Sequence, residues 1–343
     1  MYDNVMAQKN QIGKQILVIL SKQKAVIAIA IMVFAMLFSS SNFFSVLNWI
    51  NIFRIASPML IIGFGVTFAV ICRGCDLSVG SVMSLSGIIA IILINSGMNM
   101  PLAILIAVLA GTLIGFINGF LVVHQKTEAF IITLGMGMLV KGVSLLLTDA
   151  NPVPAKVFFE KSFNFMNLSF NKILNFGILK DTLVGKIPNI IWIMILIGVF
   201  TYWLLRFTSF GRNCYALGGD YDVAEYSGIN VIRTKWIAFT LTGTYAAIAG
   251  VLLSSDLNTG SAIYGDPIPL MINCGVVIGG TSFAGGIGGA VHSFLGIMVM
   301  QLLRNCMGAY GINPYIQAMI LGVVIVSIIC MDCYAIKRKK EDV

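Results

Sequence analysis

The chain has 343 residues, of which 58% are hydrophobic and only 10% charged, with a mean hydropathy of +0.93. That charge content is far below what a water-facing surface carries, so an ordinary soluble domain is excluded and a bilayer becomes the expected solvent. Lys and Arg outnumber Asp and Glu by 22 to 14, giving +8, but the cations fall mostly between apolar runs and no basic, aromatic surface points to nucleic acid.

The amino terminus, residues 1–24, carries Lys9, Lys14, Lys22 and Lys24 ahead of the apolar run 25–38. This layout is shared with signal peptides, but Ser39, Ser40, Ser41 and Asn42 follow without a small-residue cleavage pattern, and the run reads as a retained first span. Apolar windows bounded by charge, Gly or Pro then place about ten spans. They lie near 25–46, 55–72, 78–96, 101–123, 129–148, 187–205, 235–253, 268–285, 289–303 and 315–333. Such runs are too long and continuous for the alternating strands of a barrel, and an unpaired backbone is costly in lipid. The expected fold is therefore an all-α polytopic membrane protein, with 1–343 as a single transmembrane domain.

An even number of spans puts the basic amino terminus and the tail 334–343, with Lys337, Arg338, Lys339 and Lys340, on the same cytoplasmic side. The loop 206–235 falls on that side too, with Arg206, Arg212, Arg233 and Lys235 in agreement. The loop 149–186 is expected outside, although Lys156, Lys161, Lys172, Lys180 and Lys186 run against that placement. Its Pro152, Pro154 and several Phe residues suit a partly ordered external cap.

Glycines punctuate the spans. Gly111, Gly115 and Gly119 recur every fourth residue and predict a helix-packing face. The run "GGTSFAGGIGG" at 279–289 is too interrupted for a helix and predicts a break or tight turn, with a path-lining role as the second reading. Ionisable residues in or beside apolar segments are Asp76, Lys141 and Arg304. Asp76, in "GCDLSVGS" with Ser78 and Ser81, admits two compatible readings: a polar hinge or gate lining a path, or a cap on the following helix. For Lys141 the choice is between pairing with a carboxylate and reaching a headgroup, the second being the plainer one.

Chemistry is otherwise sparse. No Gly-rich loop ends in Gly-Lys-Ser or Gly-Lys-Thr, so the chain is not expected to bind and hydrolyse ATP by itself. His124 and His292 are the two histidines and read as loop or packing residues rather than metal ligands. Cys72 with Cys75 and Cys330 with Cys333 have zinc or redox spacing, but scattered through apolar segments they read as packed thiols. No enzyme-like cluster of catalytic groups stands out.

The stretch "GGDYDVAEYSGI" at 218–229 differs from its surroundings. Asp220 suits an N-cap, 221–227 allow about two helical turns, and Gly228 suits the left-handed position that ends a helix. Asp222 and Glu225 complement the helix dipole. The segment predicts either an interfacial turn or a docking element for a soluble partner.

Here the chain resembles the ribose, galactoside and autoinducer-type sugar permeases of ATP-binding cassette importers. The resemblance rests on "GCDLSVGS" at 74–81, "INGFLV" at 117–122, "FIITLGM" at 130–136, "TSFGRNCYALGGDYDVAEYSGI" at 208–229, "VIGGTSFAGGIGG" at 277–289 and "GINPYIQAMILG" at 311–322. It implies that the 206–235 loop holds a coupling helix seated in a groove of an ATPase subunit, through Gly218, Gly219, Asp220, Ala224, Glu225, Ser227 and Gly228. Asp220, Val223, Glu225 and Tyr226 depart from the family's usual residues in this loop, and Thr127, Glu128 and Ala129 replace a Pro-containing start to the next span.

The resemblance further implies a bacterial inner-membrane permease paired with a second copy or close paralogue, two ATPase subunits and an external sugar-binding protein. The chain itself is expected to bind no cofactor, ATP acting through the ATPase. Asp76, Ser78, Asn118, Gly279, Gly280 and Thr281 are the path-lining candidates. An ion-coupled secondary transporter is the alternative; it accounts for Asp76 and Lys141 but not for the capped polar helix.

Overall fold

The computed structural model describes residues 29, 43–125, 127–155, 164–165, 168–169, 187–266 and 268–341. The expected basic terminus, nearly all of the first predicted span and most of the loop 149–186 lie outside the described residues. Every predicted span from 55–72 onward has a helix at its position: α1 (Val46–Ile71), α2 (Val79–Asn95), α3 (Met100–His124), α4 (Ala129–Thr148), α5 (Asn189–Phe207), α8 (Val231–Leu257), α9 (Ile268–Ile278), α10 (Ala290–Ala309) and α11 (Pro314–Glu341). Two short helices, α6 (Ser209–Gly219) and α7 (Tyr221–Tyr226), fill the polar stretch between α5 and α8.

Among the described residues five helices, α1, α3, α4, α5 and α8, are long and apolar enough to cross a membrane. They divide by environment. The most apolar window of α1 is 89% buried and that of α8 67%, whereas those of α3, α4 and α5 are 28%, 22% and 33% buried. α1 and α8 thus form the centre, and the outer helices turn Leu105, Leu109, Leu113, Leu146 and Leu196 outward, as lipid contact requires.

The glycine stripe of α3 is a packing face, as expected. A Cβ on Gly115 would stand 2.6 Å from the Phe239 carbonyl oxygen and 2.9 Å from the Gly243 Cα, and one on Gly111 2.5 Å from the Ala247 Cβ, so α3 and α8 meet backbone to backbone.

The segment predicted as one span over 268–285 is shorter than expected. α9 stops at Ile278 after 11 residues, about 16 Å at 1.5 Å per residue and too little for a bilayer core of about 30 Å. The cause lies in Gly280, Gly285, Gly286 and Gly288, which take φ of +112°, +83°, +70° and +137° and turn the chain instead of continuing the helix. Two further irregular segments, 72–78 and 258–266, enter the bundle, and the second packs on the first turns of α2. Ser84 Oγ accepts from Gly265 N–H at 3.0 Å, and the Gly80 and Gly265 backbones are in contact.

The loops after α4 and α8 lie together at one end: β1 (Val153–Pro154) pairs antiparallel with β4 (Thr259–Gly260), and Asn95 Nδ2 donates to the Pro154 carbonyl at 2.9 Å. A small hairpin, β2 (Asn164–Phe165) with β3 (Leu168–Ser169), is the rest of the loop's described structure. α6 and α7 lie at the opposite end, beside the last turn of α1.

Two ion pairs tie the strand-bearing half of the bundle. Arg54 meets Asp256 at 2.9 Å with side chains 29% and 10% exposed, while Lys141, paired with a carboxylate after all, meets Asp266 at 2.8 Å with 38% and 44% exposed. Asp256→Ala is expected to lower stability by about 2 kcal/mol, because it strands a partly buried guanidinium. Asp266→Ala, at a wetter pair, is expected to cost under about 1 kcal/mol. Thermal unfolding of the detergent-solubilised variants measures both, and equal shifts would contradict the burial argument.

Candidate functional site: a capped helix wired to the bundle and a buried polar knot

The local sequence sets both ends of α7. Asp220, in extended conformation, accepts from the Val223 N–H at 3.0 Å and so caps the helix. At the other end Gly228 takes φ +80°; its N–H bonds the Glu225 carbonyl at 2.9 Å, and the Ile229 N–H bonds the Ala224 carbonyl at 3.1 Å. These two bonds form a Schellman closure, the role foreseen for Gly228. Ala224 is buried under the helix, while Val223 and Tyr226 are 62% and 91% exposed, an apolar pair pointing away from the chain.

α6 joins this helix to the bundle. Thr208 caps α6 by accepting from Gly211 N–H at 3.2 Å, and Gly218 at its far end lies on the last turn of α1 and on the glycine run. Arg73 Nε donates to the Gly218 carbonyl at 2.8 Å and its Nη2 to the Gly219 carbonyl. The Gly286 N–H donates to the Ile71 carbonyl at 3.0 Å, and Tyr215 Oη to the Gly288 carbonyl at 2.9 Å. The polar loop, the end of α1 and the 279–289 turn are therefore one hydrogen-bonded joint. Gly279 lies against His292 on α10, and Thr281 is buried with its hydroxyl unpartnered among the described residues.

Beside α7 a cleft of about 800 Å³ is lined by Arg73, Glu128, Tyr221, Asp222, Glu225 and Lys235, among others. Partial burial, then the neighbouring Glu225 and Asp222 carboxylates, push the Tyr221 phenol up and keep it neutral.

Asp76, Ser78 and Asn118 form a second, separate cluster, fully buried where α2 begins. Asp76 Oδ1 accepts from Ser78 N–H at 2.8 Å and Ser78 Oγ at 2.7 Å, and Asn118 Nδ2 reaches the same hydroxyl at 2.8 Å. Asp76 thus does cap-like work three residues before the first helical residue, Val79. Thr133 of α4 accepts from Leu77 N–H at 3.1 Å and donates to the Cys75 carbonyl at 3.2 Å; Asn273 of α9 donates to the Asp76 carbonyl at 3.1 Å. Four helices meet at this knot.

The site residues expected from sequence thus fall into two groups. Gly218 and Gly219 meet the 279–289 turn, while Asp76, Ser78 and Asn118 meet one another. Arg73, Tyr215, Thr133 and Asn273 were missed. A basic residue immediately before "GCDLSVGS" was the available signal for Arg73; the other three bond to partners 56 to 198 residues away, with no local trace. Cys72 is buried and Cys75 Sγ donates to Asn273 Oδ1 at 3.3 Å, while the Cys333 side chain lies outside the described residues. His124 Nδ1 sits 2.9 Å from the Phe120 carbonyl and its ring stacks on that of Phe120.

Irregular backbone buried among long apolar helices, with a capped polar helix at one end, is the build of a polytopic helical membrane protein. Residues 48–329 match the family described as branched-chain amino acid transport system / permease component, and the chain belongs to that family. It is 33% identical to the ribose import permease protein RbsC of Haemophilus influenzae over 96% of this chain and 97% of that one. It is 32% identical to RbsC of Escherichia coli K12, covering 91% and 94%, and 28% identical to the galactose/methyl galactoside import permease protein MglC of the same strain, covering 95% and 98%. No solved structure matches the chain.

Proposed function

We propose that this chain is the membrane-spanning subunit of an ATP-binding cassette importer for a monosaccharide or similar small polar solute. It works in the bacterial inner membrane with a second permease copy or close paralogue, two ATPase subunits and an external sugar-binding protein. The family match supports a permease, and the ribose and galactoside named for the relatives support a sugar. The observation that carries the coupling role is the joint itself: an exposed, capped helix hydrogen-bonded through Gly218 and Gly219 to the end of α1 and to the glycine turn.

In this reading α7 is the coupling helix, with Gly218, Gly219, Asp220, Ala224, Glu225, Ser227 and Gly228 shaping it and Val223 and Tyr226 on the docking face. The chain binds no cofactor of its own. ATP binding closes the ATPases, displaces α7, and moves α1 and the 279–289 turn as a rigid unit between two arrangements. The free energy comes from the different affinity of ATP for the two states. Gly279, Gly280 and Thr281, beside the joint, line the path, and Asp76, Ser78 and Asn118 form the polar hinge in its wall.

The test is ATP-driven sugar uptake by vesicles holding the permease, its ATPase and its binding protein. Glu225→Arg and Gly228→Pro are each expected to reduce uptake about tenfold or more, equivalent to about 1.4 kcal/mol of coupling, with insertion unchanged. Full uptake in both, or uptake that follows an ion gradient without ATP, would sink the importer reading in favour of an ion-coupled carrier.

A further inference from the structure

At the strand-bearing end of the bundle, away from α7, a crevice of about 310 Å³ opens between α1, α10 and α11. Its walls are Ile52, Ile55, Gln301, Arg304, Asn305 and Gln317. Four of these six can hydrogen-bond. The volume lies at the lower end of the range of about 300–1,000 Å³ seen for small-molecule pockets.

The polar groups here are under-used by the protein. Gln301 is 5% exposed, and its Nε2 has no hydrogen-bond partner among the described residues; Asn305 Oδ1 is likewise buried and unpartnered. Asn305 Nδ2 makes a long 3.4 Å contact with Asn48 Oδ1. Gln317 Nε2 is fixed on the Ile312 carbonyl at 2.8 Å, which leaves its oxygen as the acceptor. Among the described residues Arg304 has one polar contact, 3.9 Å from Met271 Sδ, and no carboxylate within ion-pair distance. Buried polar groups are nearly always paired, and an unpaired cation within a membrane helix marks a functional site by default.

We propose that this crevice is a hydroxyl-recognition subsite in the outer half of the translocation path, with Gln301, Arg304, Asn305 and Gln317 contacting a polyhydroxylated solute. The inference rests on the importer reading and adds the residues that meet the solute. Its chemical ground is the mixture of vacant roles. Gln301 Nε2 and the Arg304 fork offer donors, while Asn305 Oδ1 and the Gln317 oxygen offer acceptors. A sugar hydroxyl both donates and accepts, and adjacent hydroxyls fit the guanidinium fork. A lipid phosphate only accepts and would leave the acceptors idle. The crevice faces the end opposite α7, where an external binding protein would release its solute.

The experiment measures uptake of radiolabelled D-ribose, D-allose and D-galactose into proteoliposomes containing the full permease, its ATPase and its binding protein, with ATP hydrolysis read in parallel. Gln301→Met and Gln317→Met, which keep volume and lose hydrogen bonding, are expected to lower uptake of the transported sugar about tenfold each. ATP hydrolysis by the assembly is expected to persist, which shows that these variants still fold and assemble with the ATPase. Gln301→Asn is expected to recover part of the uptake. Unchanged uptake in both Met variants overturns the subsite while leaving the importer reading intact. No ATP-driven uptake of any of the three sugars by the unsubstituted protein overturns the importer reading, and the subsite with it. A loss confined to Arg304→Gln, seen only in vesicles containing phosphatidylglycerol, identifies an anionic headgroup site and also overturns the proposal.

Discussion

Gly218→Ala is expected to reduce ATP-driven uptake at least about tenfold, while Gly219→Ala one residue later leaves it unchanged. The two glycines are neighbours in sequence but not in environment. A Cβ on Gly218 would stand 1.9 Å from the Ile71 carbonyl oxygen and 2.3 Å from the Gly286 nitrogen, both backbone atoms that no rotamer change can move aside. A Cβ on Gly219 meets nothing within 4 Å. Forcing one extra carbon into such a contact costs about 1–3 kcal/mol. Relief requires α6 to lift from α1 and the glycine turn, stretching the Arg73 bonds and the Gly286 to Ile71 bond that surround it.

The permease variant should still insert, because the strain is confined to one end of the bundle. Its unfolding midpoint should fall by a few degrees and its transport much more. Uptake and thermal unfolding of the two variants, side by side, check this. Equal activity would show that the joint gives freely and transmits no movement.

How much of this was legible beforehand depended on the range of the interaction. The ends of α7 were readable because Asp220 and Gly228 act on backbone groups within five residues of themselves. The stripe Gly111, Gly115 and Gly119 was readable because helical periodicity alone puts the three on one face. The 268–285 span was misjudged in length by hydropathy, whereas the break read from the glycine run at 279–289 is where the helix ends, with four of those glycines at positive φ. The wall at Gln301, Asn305 and Gln317 was not found at all, although Arg304 drew notice as a charge in an apolar segment. Its residues come from three helices, and only the packing of α1 on α10 and α11 reveals that Gln301 Nε2 and Asn305 Oδ1 have no partner among the described residues.

Asp76 gives the second large effect, and it separates a structural carboxylate from an ion-coupling one. Asp76→Leu is expected to destabilise the permease by about 2 kcal/mol or more, since the Ser78 N–H and hydroxyl lose their shared acceptor in a fully buried place. Asp76→Asn keeps the Oδ1 acceptor for both donors and removes only the charge. Its expected cost is under about 1 kcal/mol, with ATP-driven uptake within about threefold of the unsubstituted protein.

The contrast follows from geometry. Oδ1 takes both Ser78 bonds and lies one hydroxyl away from Asn118, while Oδ2 is unpartnered among the described residues. A hydrogen-bonding role therefore needs one oxygen and no charge, whereas coupling to an ion gradient needs the carboxylate itself. Ser78→Ala should resemble the Leu variant in stability, because it breaks the bridge between Asn118 and Asp76 at its centre. Unfolding midpoints in detergent and uptake in vesicles, measured on all three variants, decide the matter. If Asp76→Asn folds as well as the unsubstituted protein yet abolishes uptake, the charge is functional, and the knot belongs to an ion-driven transport cycle rather than to the wall of an ATP-driven one.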